Sequence, residues 1–152
     1  MGVKRLPEIK EYEVLSFEMG DQVLAFDVDN IEMVIEKPEI TPVPKSKYFV
    51  EGVINLRGRI IPVVNLAKIL DVSFDESKMK SIIVAKDKDV EVGFLVNRVL
   101  GVLRITEEQL DLTDVSDKFG KKSKGLIKAD SKLIIYLNID EIIEEITIKE
   151  GV

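Results

Sequence analysis

The chain has 152 residues, 45% of them hydrophobic, with 22 Lys and Arg against 28 Asp and Glu, for a net charge of −6 and a pI near 4.9. That length can bury one core or two small ones, and the acidic balance argues against nucleic acid as the main partner, since a phosphate backbone needs a basic stripe. Cysteine and histidine are both absent, which excludes disulfides, zinc–thiolate sites, a cysteine nucleophile, an imidazole base or metal ligand, and a phosphohistidine.

Residues 1–10 read as a loose leader without the apolar run of a signal peptide, and Leu6 breaks the N-myristoylation pattern. No stretch approaches the roughly 20 apolar residues of a membrane span, so the expectation is a soluble, cytoplasmic protein. Glu13 to Phe17 predicts a strand, Gly20-Asp21 a turn, Val23 to Val28 the return, and Ile31 to Ile35 a third run ending at Lys37-Pro38. Ile40 to Pro44, with two prolines, is expected to be extended and irregular.

Tyr48 to Leu70 is the longest stretch in which turn chemistry and apolar pattern agree. Val50 to Leu56 and Arg59 to Val64 predict a β-hairpin across Arg57-Gly58, where glycine tolerates positive φ. Pairing across that turn puts Ile54, Ile61 and Val63 on one face and Val53, Ile60 and Val64 on the other. Both faces are apolar, so one must meet the core and the other a second body, either another domain or a partner protein. Pro62 lacks an N–H and is expected at a sheet edge or bulge. Asn65 is placed to cap a short helix through Leu70.

After a polar joint at Ser73 to Lys80 the plan restarts. Ser81 to Ala85 predicts a strand, Asp87-Lys88-Asp89 a turn, and Val90 to Leu103 a broken strand pair. Ala25-Phe26-Asp27-Val28 aligns with Gly93-Phe94-Leu95-Val96, Ile31 with Val99, and Val34 with Val102, at a constant offset of 68 residues (25 to 93, 34 to 102). The hairpin recurs without a gap at an offset of 73 (54 to 127, 65 to 138), with Gly52 on Gly125 and Arg57-Gly58 on Asp130-Ser131. Both copies enter a helix through asparagine. The second, Asn138, has Glu141 three residues on and apolar Ile139, Ile142, Ile143 and Ile146 at helical spacing. Two similar β-subdomains follow, at 13–79 and 80–147, as small barrels within one overall domain. Thr106 to Gln109 predicts a capping box, and Asp111 to Lys124 a mobile polar segment.

Candidate chemistry is thin. Asp111, Asp114 and Asp117 miss the calcium-loop spacing. Gly120-Lys121-Lys122-Ser123 resembles the end of a P-loop, but the leading glycine falls on Val115 and no strand precedes it. Asp27 and Asp29 could pair as hydrolase carboxylates, and a small barrel could bind single-stranded nucleic acid, though acidic charge and 6% aromatic residues suit that poorly. Lys37, Lys45 and Lys47, interleaved with Glu36, Glu39 and Glu51, read as a mixed solvated rim. No cofactor or metal site is expected. What remains is apolar surface without chemistry, which points to binding.

Glu51 to Leu66, EGVINLRGRIIPVVNL, preceded by Tyr48-Phe49, resembles the signature hairpin of the CheW family of bacterial chemotaxis coupling proteins and of the homologous regulatory domain of the CheA histidine kinase. The likeness continues through Phe17 to Gly20, Phe26-Asp27-Val28, Val92 to Val96, Thr106 to Leu110 and Leu133 to Asn138, and covers nearly the whole chain. Family members commonly carry Asp where Asn65 and Asn138 stand, a change that keeps the cap. The resemblance implies a mainly β fold of two five-stranded SH3-like barrels packed as an internal repeat, with short helices and a C-terminal helix. It also implies a non-enzymatic adaptor, monomeric alone and part of larger arrays. Such an adaptor binds the kinase regulatory domain through Ile40, Val43, Gly52 and Val53. It binds chemoreceptor cytoplasmic tips in a groove between barrels, through Ile31, Val34, Val99 and Val102. Arg57 is expected on the receptor side, holding an acid such as Glu32 or Glu36 or reaching a partner carboxylate.

Overall fold

A computed structural model describes residues 10–112 and 119–150. Residues 1–9 of the expected leader at 1–10, and the middle of the expected mobile segment, including Asp114 and Asp117, lie outside the described residues. Strands β1 (Glu11–Met19), β2 (Gln22–Asp27), β3 (Ile31–Glu36), β4 (Val50–Leu56) and β5 (Arg59–Asn65) precede helix α1 (Leu66–Leu70). Then come β6 (Ser81–Asp87), β7 (Val90–Val96), β8 (Arg98–Thr106), β9 (Leu110–Asp111), β10 (Ser123–Ala129), β11 (Lys132–Leu137) and helix α2 (Ile139–Glu150).

The strands form two sheets, one six-stranded in the order β8-β1-β2-β11-β10-β9 and one five-stranded in the order β3-β6-β7-β5-β4. The second sheet is extended by an isolated bridge from Thr41 to Val53, which occupies the place that β9 takes beside β10. This is the expected mainly β architecture with a repeated plan and a C-terminal helix. The expected halves 13–79 and 80–147 are not the two sheets. The first sheet takes β1 and β2 from one half and β8–β11 from the other, and the second takes β3–β5 with β6 and β7. Each hairpin joins the neighbouring strands through one parallel pair, β2 with β11 and β5 with β7. Parallel neighbours need a long crossover, so each sheet draws on both halves of the chain.

Both hairpin turns hold two residues at positive φ, Arg57 and Gly58 in one and Asp130 and Ser131 in the other, as the twist of a two-residue hairpin demands. Pro62 stands in an interior strand and away from the register shift of β4 at Val50/Gly52, contrary to the expectation of an edge or bulge. The reason lies in which side its missing donor faces. Val53 exchanges both backbone hydrogen bonds with Thr41, at 2.9 Å each, so the Val53–Pro62 pair carries none. Pro62 therefore faces β7, one residue before parallel pairing begins at Val63 and Gly93.

The core lies between the sheets and under the helices. Phe26, paired with Leu15 on the first sheet, meets Phe94, paired with Ile83 on the second, at 5.2 Å between ring centroids, and Phe17 stacks on Phe26 at 5.1 Å. Such tilted aromatic pairs add roughly 0.5–1.5 kcal/mol beyond their burial. A smaller cluster of Val14, Ala25, Ile105, Ile127, Ile134 and Tyr136 fills the other face of the first sheet. Asn65 caps α1 through Lys68 N–H, and Asn138 Oδ1 accepts from Glu141 N–H at the start of α2. Buried Ile139, Ile142, Ile143 and Ile146 seat α2 on the core. Gln109 Oε1 accepts from Thr106 N–H at 2.9 Å, the expected box around a single 3-10 turn.

Candidate functional site: two apolar surfaces

Each edge strand, β3 and β8, carries one extra residue that turns apolar residues three apart onto one face. On β3 the register slips between Ile31 and Met33, so Ile31 pairs with Ala85 and Val34 with Ile83, two positions on the same face of β6. On β8 the slip falls at Gly101, φ +139°, so Val99 pairs with Phe17 and Val102 with Leu15. Those faces are the ones joined by the Phe26–Phe94 contact. Ile31 and Val34 thus look toward the first sheet and Val99 and Val102 toward the second, as equivalent positions of the repeat. Ile31 and Val99 are half-buried and pack on the core, whereas Val34 is 40% and Val102 56% exposed.

The second surface is the outer end of the first hairpin. Val64, in register with Phe94 of the same sheet, is buried, but the same face continues through half-buried Pro62 and Val53 to Ile60, which is 63% exposed. Ile40 is half-buried against the core and Val43 exposed. Gly52 is buried, φ +146°, and a Cβ there would stand 2.2 Å from Thr41 O and 2.9 Å from Ile40 Cγ2. It shapes the surface from beneath. The opposite face, Ile54, Ile61 and Val63, is buried as expected. The hairpin's repeat partner, Leu126, Leu133 and Ile135, likewise leaves Leu133 61% exposed.

Arg57 is exposed at the turn and, among the described residues, pairs with no acid. The arginine that holds Glu32 is Arg59, at 3.6 Å, and it also donates to Glu91 Oε2 at 2.7 Å. A hydrogen bond shared with Glu32, burial and the Glu32 charge together raise the Glu91 pKa, against Arg59 and Lys86. Strand direction explains the exchange: Arg59 opens β5 beside β7, which carries Glu91, whereas Arg57 projects from the turn.

The carboxylate pair considered for hydrolysis is committed elsewhere. Asp27 Oδ2 accepts from Lys124 Nζ at 2.5 Å and Oδ1 accepts from the Tyr136 hydroxyl. Burial first, then this bond to Asp27, pushes the Tyr136 pKa up. Both oxygens of Asp27 are therefore engaged in fastening β11 and β10 to β2, while Asp29 is exposed on a 3-10 turn. Among the described residues no group of three or more acidic side chains could hold a metal, and no helix is long and apolar enough to cross a membrane.

Sequence reasoning missed Arg59 as the ion-pair centre and the exposure of Ile60 and Leu133. The alternation Arg59, Ile61, Val63 already placed those three side chains on one face, with Ile60 on the other; what it lacked was how far along the hairpin that other face stays covered, from buried Val64 to exposed Ile60.

Residues 13–147 match the CheW-like domain family. The chain is 83% identical to the chemotaxis protein CheW of Thermotoga maritima over 144 residues, 95% of each chain. It is 28% identical to CheW of Rhizobium meliloti over 133 residues, 86% of each. The structure superposes on the scaffolding protein TtCheW of Thermoanaerobacter tengcongensis with a TM-score of 0.77 at 28% identity, covering 85% of this chain and 90% of that one. The chain belongs to the CheW-like family of chemotaxis scaffold proteins, which are adaptors and not enzymes.

Proposed function

We propose that this scaffold joins chemoreceptor cytoplasmic tips to the regulatory domain of the CheA kinase, with receptor contact at Ile31, Val34, Val99, Val102 and Arg57 and kinase contact at Ile40, Val43 and Val53 over Gly52. The observation that carries the reading is the pair of matched bulges, which brings Val34 onto the face of Ile31 and Val102 onto the face of Val99 at the edges of two facing sheets, with Val34 and Val102 exposed and Ile31 and Val99 packed on the core. A second, separate apolar surface at Ile60, Val53 and Val43 lets two partners bind at once. The protein works as a cytoplasmic monomer recruited to the membrane by its receptors and built there into larger arrays. Its role is geometric: it holds receptor and kinase in one arrangement, so that a shift in the receptor biases the kinase.

Apolar anchors dominate such interfaces, and truncating a true anchor costs more than about 1 kcal/mol. The test is titration of a receptor tip fragment and the kinase regulatory domain, separately and together. Val34→Ala with Val102→Ala should weaken receptor binding about tenfold while kinase binding and the melting curve stay unchanged, since both side chains are exposed. Undiminished receptor binding would refute the groove assignment; mutual exclusion of the two partners would refute coupling.

A further inference from the structure

The groove between the sheets does not end at Val34. Glu36 and Ser81 continue the same face of the second sheet, and beyond them opens a depression of about 650 Å³ lined by Glu18, Glu36, Lys37, Lys78, Lys80, Ser81, Asn97 and Arg98. A main-chain ladder fixes its wall: Lys37 N–H donates to Lys80 O at 2.9 Å, Lys80 N–H to Asn97 O at 3.4 Å, and Asn97 N–H to Glu18 O at 3.1 Å. Four cations meet two acids here. One acid, Glu18, is already held by Arg98 at 2.8 Å, and Lys37, Lys78 and Lys80 form no ion pair among the described residues. On a chain of net charge −6 this is a local excess of positive charge, which favours an acidic occupant. Asn97 Oδ1 is buried in the wall and closed to an occupant, so recognition is left to the charged side chains at the rim. A peptide segment can set separate carboxylates against separate lysines along the depression, whereas inorganic phosphate meets them at one point.

We propose that this lysine-lined end of the groove seats an acidic stretch of the docked receptor tip, with its carboxylates against Lys37, Lys78 and Lys80. The inference rests on the receptor reading above and adds the charge chemistry of its ligand. The apolar edges hold the partner and the lysines set its register along the groove.

The test measures affinity of the intact chain for a receptor tip fragment across a salt series. Lys37→Glu with Lys80→Glu is compared against Lys121→Glu with Lys128→Glu, an equal charge change at exposed positions elsewhere. Reversing two charges that face acids should lower affinity about tenfold at low salt and flatten its salt dependence, with the control pair near wild type. Equal behaviour of the two double variants overturns the inference while leaving the receptor reading intact. Failure of the wild-type chain to bind the fragment overturns both. A parallel titration with inorganic phosphate, followed by the Asn97 side-chain amide resonance, should show no saturable shift; saturation together with unaltered receptor affinity in the Lys37/Lys80 variant overturns the peptide assignment in favour of a free anion.

Discussion

Gly52→Ala should be the most damaging single-methyl substitution in the first hairpin, and Gly125→Ala its match in the second. Both glycines have φ +146°, and a Cβ would stand 2.2 Å from Thr41 O at the first and 2.3 Å from Asp111 O at the second. Holding a side chain at such φ costs about 1–3 kcal/mol. Clearing the carbonyl must push the Thr41 segment off β4, breaking two 2.9 Å hydrogen bonds between Thr41 and Val53 worth about 1 kcal/mol each. The total is about 3–5 kcal/mol, or a melting temperature lower by about 10 °C for a chain of this size. Denaturant melts of Gly52→Ala, Gly125→Ala and Gly58→Ala check it. Gly58, φ +86° with open space around it, should cost about 1 kcal/mol or less. If Gly52→Ala costs no more than Gly58→Ala, close approach is not what selects glycine there. Kinase binding should fall only in step with displacement of Ile40 and Val43; a large binding loss at unchanged stability would make Gly52 a direct contact and refute the shaping role.

Three further outcomes are expected. Arg57→Glu should abolish receptor control of kinase activity in a reconstituted assay with an unchanged melting curve, because the side chain is exposed and forms no ion pair among the described residues; unaltered control would remove Arg57 from the interface. Asp87→Asn should flatten the acid side of the stability profile: burial first, then the Asp140 charge and a hydrogen bond with Asp140, raise the Asp87 pKa. A raised carboxyl contributes stability that is present below its unfolded pKa and is lost as pH rises through its folded pKa, so wild type should lose more than the variant between pH 3 and pH 7, and parallel profiles would refute the pairing. Asn65→Asp keeps the α1 cap but removes the donor that the fully buried Asn65 Nδ2 gives to partly exposed Glu51 at 3.1 Å; a loss of about 2 kcal/mol at neutral pH, shrinking as the medium is acidified, is the expected reading by chemical denaturation.

What was legible in the sequence, and what was not, follows from the range of the interactions. Strands, hairpin turns and asparagine caps are local, and Gly52 on Gly125 or Asn65 on Asn138 expose the repeat directly. Sheet membership is not local: nothing near Tyr136 announces that its strand lies parallel to β2, or that its hydroxyl will close on Asp27. The same distance hid the ion pairs, since Arg59 reaches Glu91 across a parallel contact that the hairpin pattern alone does not contain.

The candidate groove combines both kinds of information. An alignment can place Ile31 on Val99 and Val34 on Val102, but residues three apart in a regular strand point to opposite faces, so strict alternation would have split each pair between the groove and the far side. The bulge resolves this, and the two copies build it differently. β8 uses Gly101 at φ +139°, whereas the aligned position in β3 is Met33, where the slip occurs without positive φ. The repeat therefore preserves the position of the irregularity while changing its chemistry. That is expected if the slip itself, by turning two apolar side chains onto one face at each sheet edge, is what both copies need.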